Sequence, residues 1–138
     1  MFDRTQVVFK NNYIGVLATI DDDGTPRATP LHVATDGVAI YWFSHDSTTH
    51  SANITRSPRV SLSLSSVGGG KWLQGVYVTG SAERLNAADR PMARRILQQR
   101  LGFTLPMFGS GSAFRLPIGT LDTHKSTSNC WYFYIPKS

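Results

Sequence analysis

The sequence predicts a mainly β fold, a small barrel of about six antiparallel strands with one main α-helix outside it. Three observations lead there. β-Rich runs recur with Asp-Gly turns between them, at Asp23-Gly24 and Asp36-Gly37, and Asp-Gly supplies the positive φ that a tight hairpin needs. Residues 60–65 alternate Val60, Leu62 and Leu64 with Ser61, Ser63 and Ser65, the period of a strand with one polar face. Only 89–101 carries a convincing helical stripe, formed by Met92, Ala93, Ile96, Leu97 and Leu101.

Taken in order, the chain opens on M-F-D-R-T-Q-V-V-F-K-N-N, which interleaves charged and apolar side chains and contains no apolar run of signal-peptide length. Ile14–Ile20 is β-rich and runs into the turn at 21–24. Its return strand, 26–34, contains Pro26 and Pro30, which restrict it to a sheet edge, an irregular ladder or a place where a ligand takes the missing hydrogen bonds. Residues 38–44 (V-A-I-Y-W-F-S) are apolar on both alternating faces, so one face is expected in the core and the other against a partner or cofactor, with Trp42 in the core. Asp46 or Ser47 is the expected N-cap of a short helix that runs through Arg56 and ends at Pro58.

After the 60–65 strand and the flexible Gly68-Gly69-Gly70, a long strand covers 72–85. Its Gly75 and Gly80 point to a bulge, a barrel bend or the close approach of another backbone. Pro91 suits the next helix because it falls in the first turn, where its missing N–H has no intrahelical acceptor. The Gly/Pro/Ser-rich segment 102–112 is expected to be the most mobile, and strands at 113–118 and 130–135 close the chain.

A chain of 138 residues with no internal repeat and no dividing linker is expected to form a single domain, 1–138, burying roughly 68% of its unfolded surface. The lone Cys130 cannot form an internal disulfide; within C-W-Y-F-Y-I it reads as a small buried thiol, and a cytoplasmic, reducing location suits it. No run approaches the length of a membrane span, so no membrane partner is expected. The net charge of +5, from 14 basic and 9 acidic residues, favours anionic ligands. Arg90, Arg94, Arg95 and Arg100 read as a solvated helix face, and no nucleic-acid motif accompanies them. His32, His45 and His124, with Asp36, Asp46 and Asp122, lack the paired short spacing of a zinc site, so no metal is expected. Neither a nucleophile elbow nor a G-x-G-x-x-G after a strand appears, which argues against acyl transfer and a dinucleotide fold.

The stretch most suggestive of chemistry is the passage from strand to helix at 44–50, rich in hydroxyls and carrying one histidine, a plausible cradle for phosphate. On the residues alone, Ser47-Thr48-Thr49 are simple helix caps and His50 is a surface helix residue.

Four segments shift that balance: L-A-T-I-D-D-D-G-T-P-R-A-T-P-L at 17–31, I-Y-W-F-S at 40–44, T-H-S-A-N-I-T-R-S-P-R-V-S-L at 49–62, and G-V-Y-V-T-G-S-A-E-R-L at 75–85. In order and spacing they resemble the pyridoxamine 5'-phosphate oxidase-like, FMN-binding split-barrel family. The resemblance implies a six-stranded antiparallel split β-barrel and an obligate homodimer with FMN in grooves at the interface. It assigns Ser44, Thr48, Thr49 and His50 to the FMN phosphate, with Arg27 adding charge from the neighbouring strand.

Members of the family often carry Lys or Arg in the stretch that here reads S-T-T-H, so phosphate affinity depends more on Arg27, His50 or Lys71. Backbone groups of Ala28, Thr29, Pro30 and Leu31 are the expected hydrogen-bonding edge for the flavin ring. Gln74 lies beside the position where related oxidases set a glutamine against the flavin, although the nearest exact match is Gly75. Trp131 either covers the ring from the partner chain or is a core tryptophan.

The function implied is an FMN-dependent oxidoreductase acting on an unassigned small molecule, in which the flavin does the chemistry. The basic, histidine-bearing C-terminal motif that binds substrate phosphate in pyridoxamine phosphate oxidase is not visible in L-D-T-H-K-S-T-S-N-C-W-Y-F-Y-I-P. Alternatives are a deazaflavin (F420)-dependent reductase and a flavin- or haem-binding carrier or sensor without turnover.

Overall fold

The structure, a computed structural model, describes residues 3–68, 70–119 and 129–136; His124 and Asp122 lie outside them. The strands are β1 (Ile14–Ile20), β2 (Pro26–His32), β3 (Ala34–Thr35), β4 (Ala39–Ser44), β5 (Arg59–Gly68), β6 (Lys71–Ser81), β7 (Glu83–Arg84), β8 (Ser112–Pro117) and β9 (Cys130–Pro136). The helices are α1 (Asp3–Asn11), α2 (Thr49–Arg56), α3 (Arg90–Leu101) and α4 (Met107–Ser110). Two antiparallel sheets, β2-β1-β5-β6-β9 and β3-β4-β8-β7, form the split barrel that the sequence predicts.

The strand count exceeds six partly because two long strands bend between the sheets. The first breaks at Val33, whose N–H donates to the Tyr13 carbonyl at 2.8 Å. The second breaks at Ala82, whose N–H donates to the Pro58 carbonyl at 2.8 Å. Expected spans at 26–34 and 72–85 are therefore single runs turned at a barrel corner. Gly75 is a close approach rather than the bend. A Cβ there would stand 2.8 Å from the Leu64 carbonyl oxygen and would run into the Phe133 ring.

One core fills the space between the sheets, with Leu17, Ile40, Trp42, Leu62, Leu64, Val76, Val78, Phe114 and Leu116. Each such side chain contributes roughly 1.5–3 kcal/mol on burial. Trp42 is fully buried and stacks on Phe114 with ring centroids 5.8 Å apart. Cys130 lies in the same core, and burial pushes its thiol up to about 11, so it is a poor nucleophile.

A second core lies beyond the four-stranded sheet. Here Ala39, Tyr41 and Phe43 of β4 meet Ala93, Leu97 and Leu101 of α3 and Phe108 of α4. This corrects the expectation for 38–44: the second apolar face of β4 is covered by the chain's own helices, not by a partner or cofactor. Within 102–112, Leu105 and Phe108 pack into this core while Phe103 stays exposed. A second expectation is corrected: Arg90 and Arg100 are not a solvated face. Arg90 donates to the carbonyls of Phe108 (2.6 Å) and Gly111 (2.8 Å), and Arg100 to those of Phe9 (2.9 Å) and Lys10 (2.7 Å).

Helix α1 has no counterpart in the sequence reading. Its nine residues are marginal as an isolated helix, and it holds because Val8 and Phe9 enter the barrel core and Arg100 caps its last carbonyls. Among the described residues, no helix is long and apolar enough to cross a membrane.

Candidate functional site

β4 ends at Ser44, and a short turn closed by the Thr48 N–H on the His45 carbonyl (3.1 Å) leads into α2. Thr48, rather than Asp46 or Ser47, is the N-cap: its backbone is extended (φ −72°, ψ 151°) and its hydroxyl accepts from the Ser51 N–H. Capping at Thr48 leaves the Thr49 and His50 amides without protein acceptors among the described residues. The His50 ring folds back so that Nε2 stands 2.7 Å from Ser44 Oγ and 3.4 Å from Thr48 Oγ1. Burial, and then the charge of Arg27, lower its pKa, so without a ligand the ring is neutral at pH 7.

Asn53 fixes this helix in place. Buried on the inner side of α2, it donates to Thr19 Oγ1 (3.0 Å) and to Asp21 Oδ1 (2.8 Å), and its oxygen accepts from Arg56 (3.0 Å). Asp21 in turn takes a two-pronged contact from Arg27, Nε to Oδ1 at 2.8 Å and Nη2 to Oδ2 at 3.1 Å. The hydrogen bond from Arg27 is the main reason the Asp21 carboxyl sits below its ordinary range, and the same bond raises the Arg27 pKa.

Two recesses share Thr48 as a wall. One, of about 200 Å³, is bounded by Pro30, Leu31 and His32 of β2, Phe43 and Ser44 of β4, then His45, Thr48 and His50, and is closed by Leu105 and Met107. The other, of about 390 Å³, is lined by Asp21–Asp23, Arg27, Ser47, Thr49, Asn53 and Arg56. Predicted site residues Arg27, Pro30, Leu31, Ser44, Thr48, Thr49 and His50 thus gather around one helix start. Ala28 and Thr29 lie between on β2, an edge strand paired only with β1 among the described residues. A recess of about 400 Å³ between α1 and the β3–β4 turn holds none of them, and its Asp36 and Arg100 are committed to internal hydrogen bonds.

The other predicted residues sit elsewhere in the chain. Lys71 and Gln74 are on β6 and Trp131 on β9, with β1 and β5 between them and β2. Gln74 points into the barrel, accepting from the Tyr132 hydroxyl (3.1 Å) and donating to Ser66 Oγ (3.3 Å). Trp131 faces out beside Tyr77 and is 45% exposed, and the Lys71 ammonium lies over the Tyr134 ring. Sequence reasoning did not single out Asn53, Asp21 or His32 for this site. The N-I-x-x-x-P pattern and the triple-Asp turn were the signals for the first two. His32, stacked on Tyr13 at 5.8 Å and touched edge-on by Phe103, had none.

The arrangement offers hydroxyl, imidazole and amide donors at a helix start beside a mostly apolar slot along a strand edge. A family model described as pyridoxamine 5'-phosphate oxidase matches residues 1–125. The chain belongs to the pyridoxamine 5'-phosphate oxidase family. Members of this family generally bind flavin.

Solved structures agree with the family's fold. A candidate 5-nitroimidazole antibiotic resistance protein from Bacteroides thetaiotaomicron aligns over 85% of this chain and 79% of its own, with a TM-score of 0.73 and 13% identity. An FAD-binding protein from Mesorhizobium loti aligns over 83% and 87%, with a TM-score of 0.66 and 25% identity. An F420 reductase aligns over 85% and 94%, with a TM-score of 0.67 and 18% identity. No curated protein sequence matches the chain.

Proposed function

We propose that the protein binds FMN at the β2–α2 cradle and works as a flavin-dependent oxidoreductase. The observation that carries this reading is the convergence of Ser44, Thr48 and His50 at the capped start of α2, next to the apolar slot bounded by Pro30, Leu31 and Phe43. FMN needs both environments. Helix-terminal amides and hydroxyls suit its phosphate, and a flat slot beside an open strand edge suits its ring. Bound there, FMN would supply hydride or electron transfer, while the chain holds the phosphate, orients the ring and keeps water from it.

The reading includes a homodimer with the cofactor at its interface. Within one chain, two strands separate Lys71 from β2 and three separate Trp131 from it, so a second copy is the simplest way to bring them to the cradle. The outer face of the five-stranded sheet suits such a partner. Along one row Pro30, Val16, Ser63, Tyr77 and Trp131 are in register, and Val16, Tyr77 and Trp131 are substantially exposed.

The test is an absorbance spectrum of the purified protein with mass spectrometry of released ligand. Flavin bands and the FMN mass are expected. A deazaflavin mass or a Soret band would replace FMN with one of the alternatives, and a colourless protein that takes up no added FMN would end the flavin reading. Arg27→Ala and His50→Ala should weaken FMN binding with the fold intact; unchanged affinity in both would remove the phosphate assignment. A monomeric mass by light scattering at micromolar concentration would overturn the interface arrangement.

A further inference from the structure

We propose that His50 makes binding at this site proton-coupled: a phosphate monoester is held tightly only when the His50 ring is protonated, so the protein takes up a proton as it binds and lets go as the solution turns alkaline. The inference rests on the cradle reading above and adds how that site is regulated.

It follows from the charges that face the ring. The recess beside α2 is lined by three carboxylates, Asp21, Asp22 and Asp23, against two guanidiniums, Arg27 and Arg56. Arg27 is held two-pronged by Asp21, and Arg56 is turned onto the Ile20 carbonyl and Asn53. On the other side, Asp46 pairs with Arg84 and accepts from Ser112, while Leu105 and Met107 bring no charge. His32 and His45 also line that recess, but His32 is stacked on Tyr13 and neither ring is bonded to the Ser44–Thr48 pair. Within one chain the carboxylates and guanidiniums of that recess come close to cancelling, and a phosphate dianion beside the ring gains a further full positive charge only when His50 takes up a proton.

The geometry gives the proton a use. Nε2 is occupied by Ser44 Oγ at 2.7 Å, while Nδ1 has no partner among the described residues. Protonation makes both nitrogens donors, one anchoring the ring on Ser44 and the other available to a phosphate oxygen. The ring sits in the first turn of α2, where the helix dipole favours an anion. In the empty site, burial and the Arg27 charge oppose protonation; an adjacent dianion acts in the opposite sense. Binding therefore raises the ring's proton affinity, and by linkage acidification raises affinity for the ligand.

The experiment titrates FMN into the full-length protein, freed of ligand, from about pH 7 to 8.5 with flavin fluorescence as readout. The second ionisation of the phosphate, near pH 6, is nearly complete in that range. The wild type should lose about tenfold in FMN affinity across it, in line with linkage to a single proton. Riboflavin, which lacks the phosphate, should show no such loss. His50→Lys should bind FMN with the slope removed. Calorimetry in two buffers of different ionisation heat should detect proton uptake by the wild type and none by His50→Lys. A flat wild-type profile, or an unchanged slope in His50→Lys, overturns the proton coupling and leaves the cradle reading standing. No FMN binding at any pH overturns both.

Discussion

The outer faces of the two sheets meet their surroundings differently. Over the four-stranded sheet, α3 and α4 lay Ala93, Leu97, Leu101 and Phe108 against Ala39, Tyr41 and Phe43, and every residue of β4 is buried. Over the outer face of the five-stranded sheet no helix is laid down among the described residues. Val16, Ile20, Tyr77 and Trp131 are exposed there, interleaved with the hydroxyls of Ser61, Ser63 and Ser65 on the intervening strand. Both faces are rich in apolar residues, yet one is interior and the other is surface. A doubly apolar strand thus marks a roof built by the same chain, whereas the apolar and serine-bearing face is the one left open for the proposed second copy.

The two faces should differ most in how they tolerate a new carboxylate. Leu97→Asp puts an unpaired carboxylate beneath the roof and should cost about 4 kcal/mol or more, enough to abolish a cooperative urea transition. Tyr77→Asp, on the bare face, should leave the monomer's stability within about 1 kcal/mol. If the homodimer reading holds, it should also shift the light-scattering mass from dimer to monomer. Equal destabilisation by the two substitutions would show that the faces are not different in kind.

A smaller effect is expected where the roof is fastened. Arg90→Ala removes the donors to the Phe108 and Gly111 carbonyls and the cation over the Phe43 ring, and should cost about 2–3 kcal/mol in urea melts. Because Phe43, Leu105 and Met107 border the smaller recess, the same variant should weaken flavin uptake without touching its phosphate ligands. Smaller again is Thr48→Ala, which deletes the α2 cap and should lower stability by about 1 kcal/mol, read from the urea midpoint.

The smallest expected effect is the pH dependence of the ligand-free protein. The folded pKa of His50 lies below its ordinary value, so the unfolded chain binds the proton more readily between the two. This contribution is present above about pH 6.5 and is lost as pH falls through the folded value. Thermal melts should show stability rising with pH across that window, and His50→Gln should flatten that part of the profile.

Much of the site could be read along the chain because its parts are close in sequence. The hairpin carrying Arg27 and the strand-to-helix passage carrying Ser44, Thr48 and His50 are each set by local signals: an Asp-Gly turn, a hydroxyl cap and a terminating proline. The cap fell one or two residues late because Asp46 is drawn away to Ser112 and Arg84. Helix α1 and the packing of 102–112 were not legible. Each depends on an arginine of α3 reaching backbone carbonyls, 90 or 91 residues away in one case and 18 or 21 in the other.

By itself the sequence determined the element types, the two tight turns, the barrel class and the donors that collect at the start of α2, because periodicity, turn chemistry and capping act over a few residues. Tertiary structure alone decided which apolar face is roofed, that Gln74 turns inward, that Arg27 is held by Asp21, and that His50 leans on Ser44. The physical reason is that burial and pairing depend on what the fold brings alongside each side chain. The same apolar strand or cation reads identically in sequence whether its neighbour is solvent, a helix or a carboxylate.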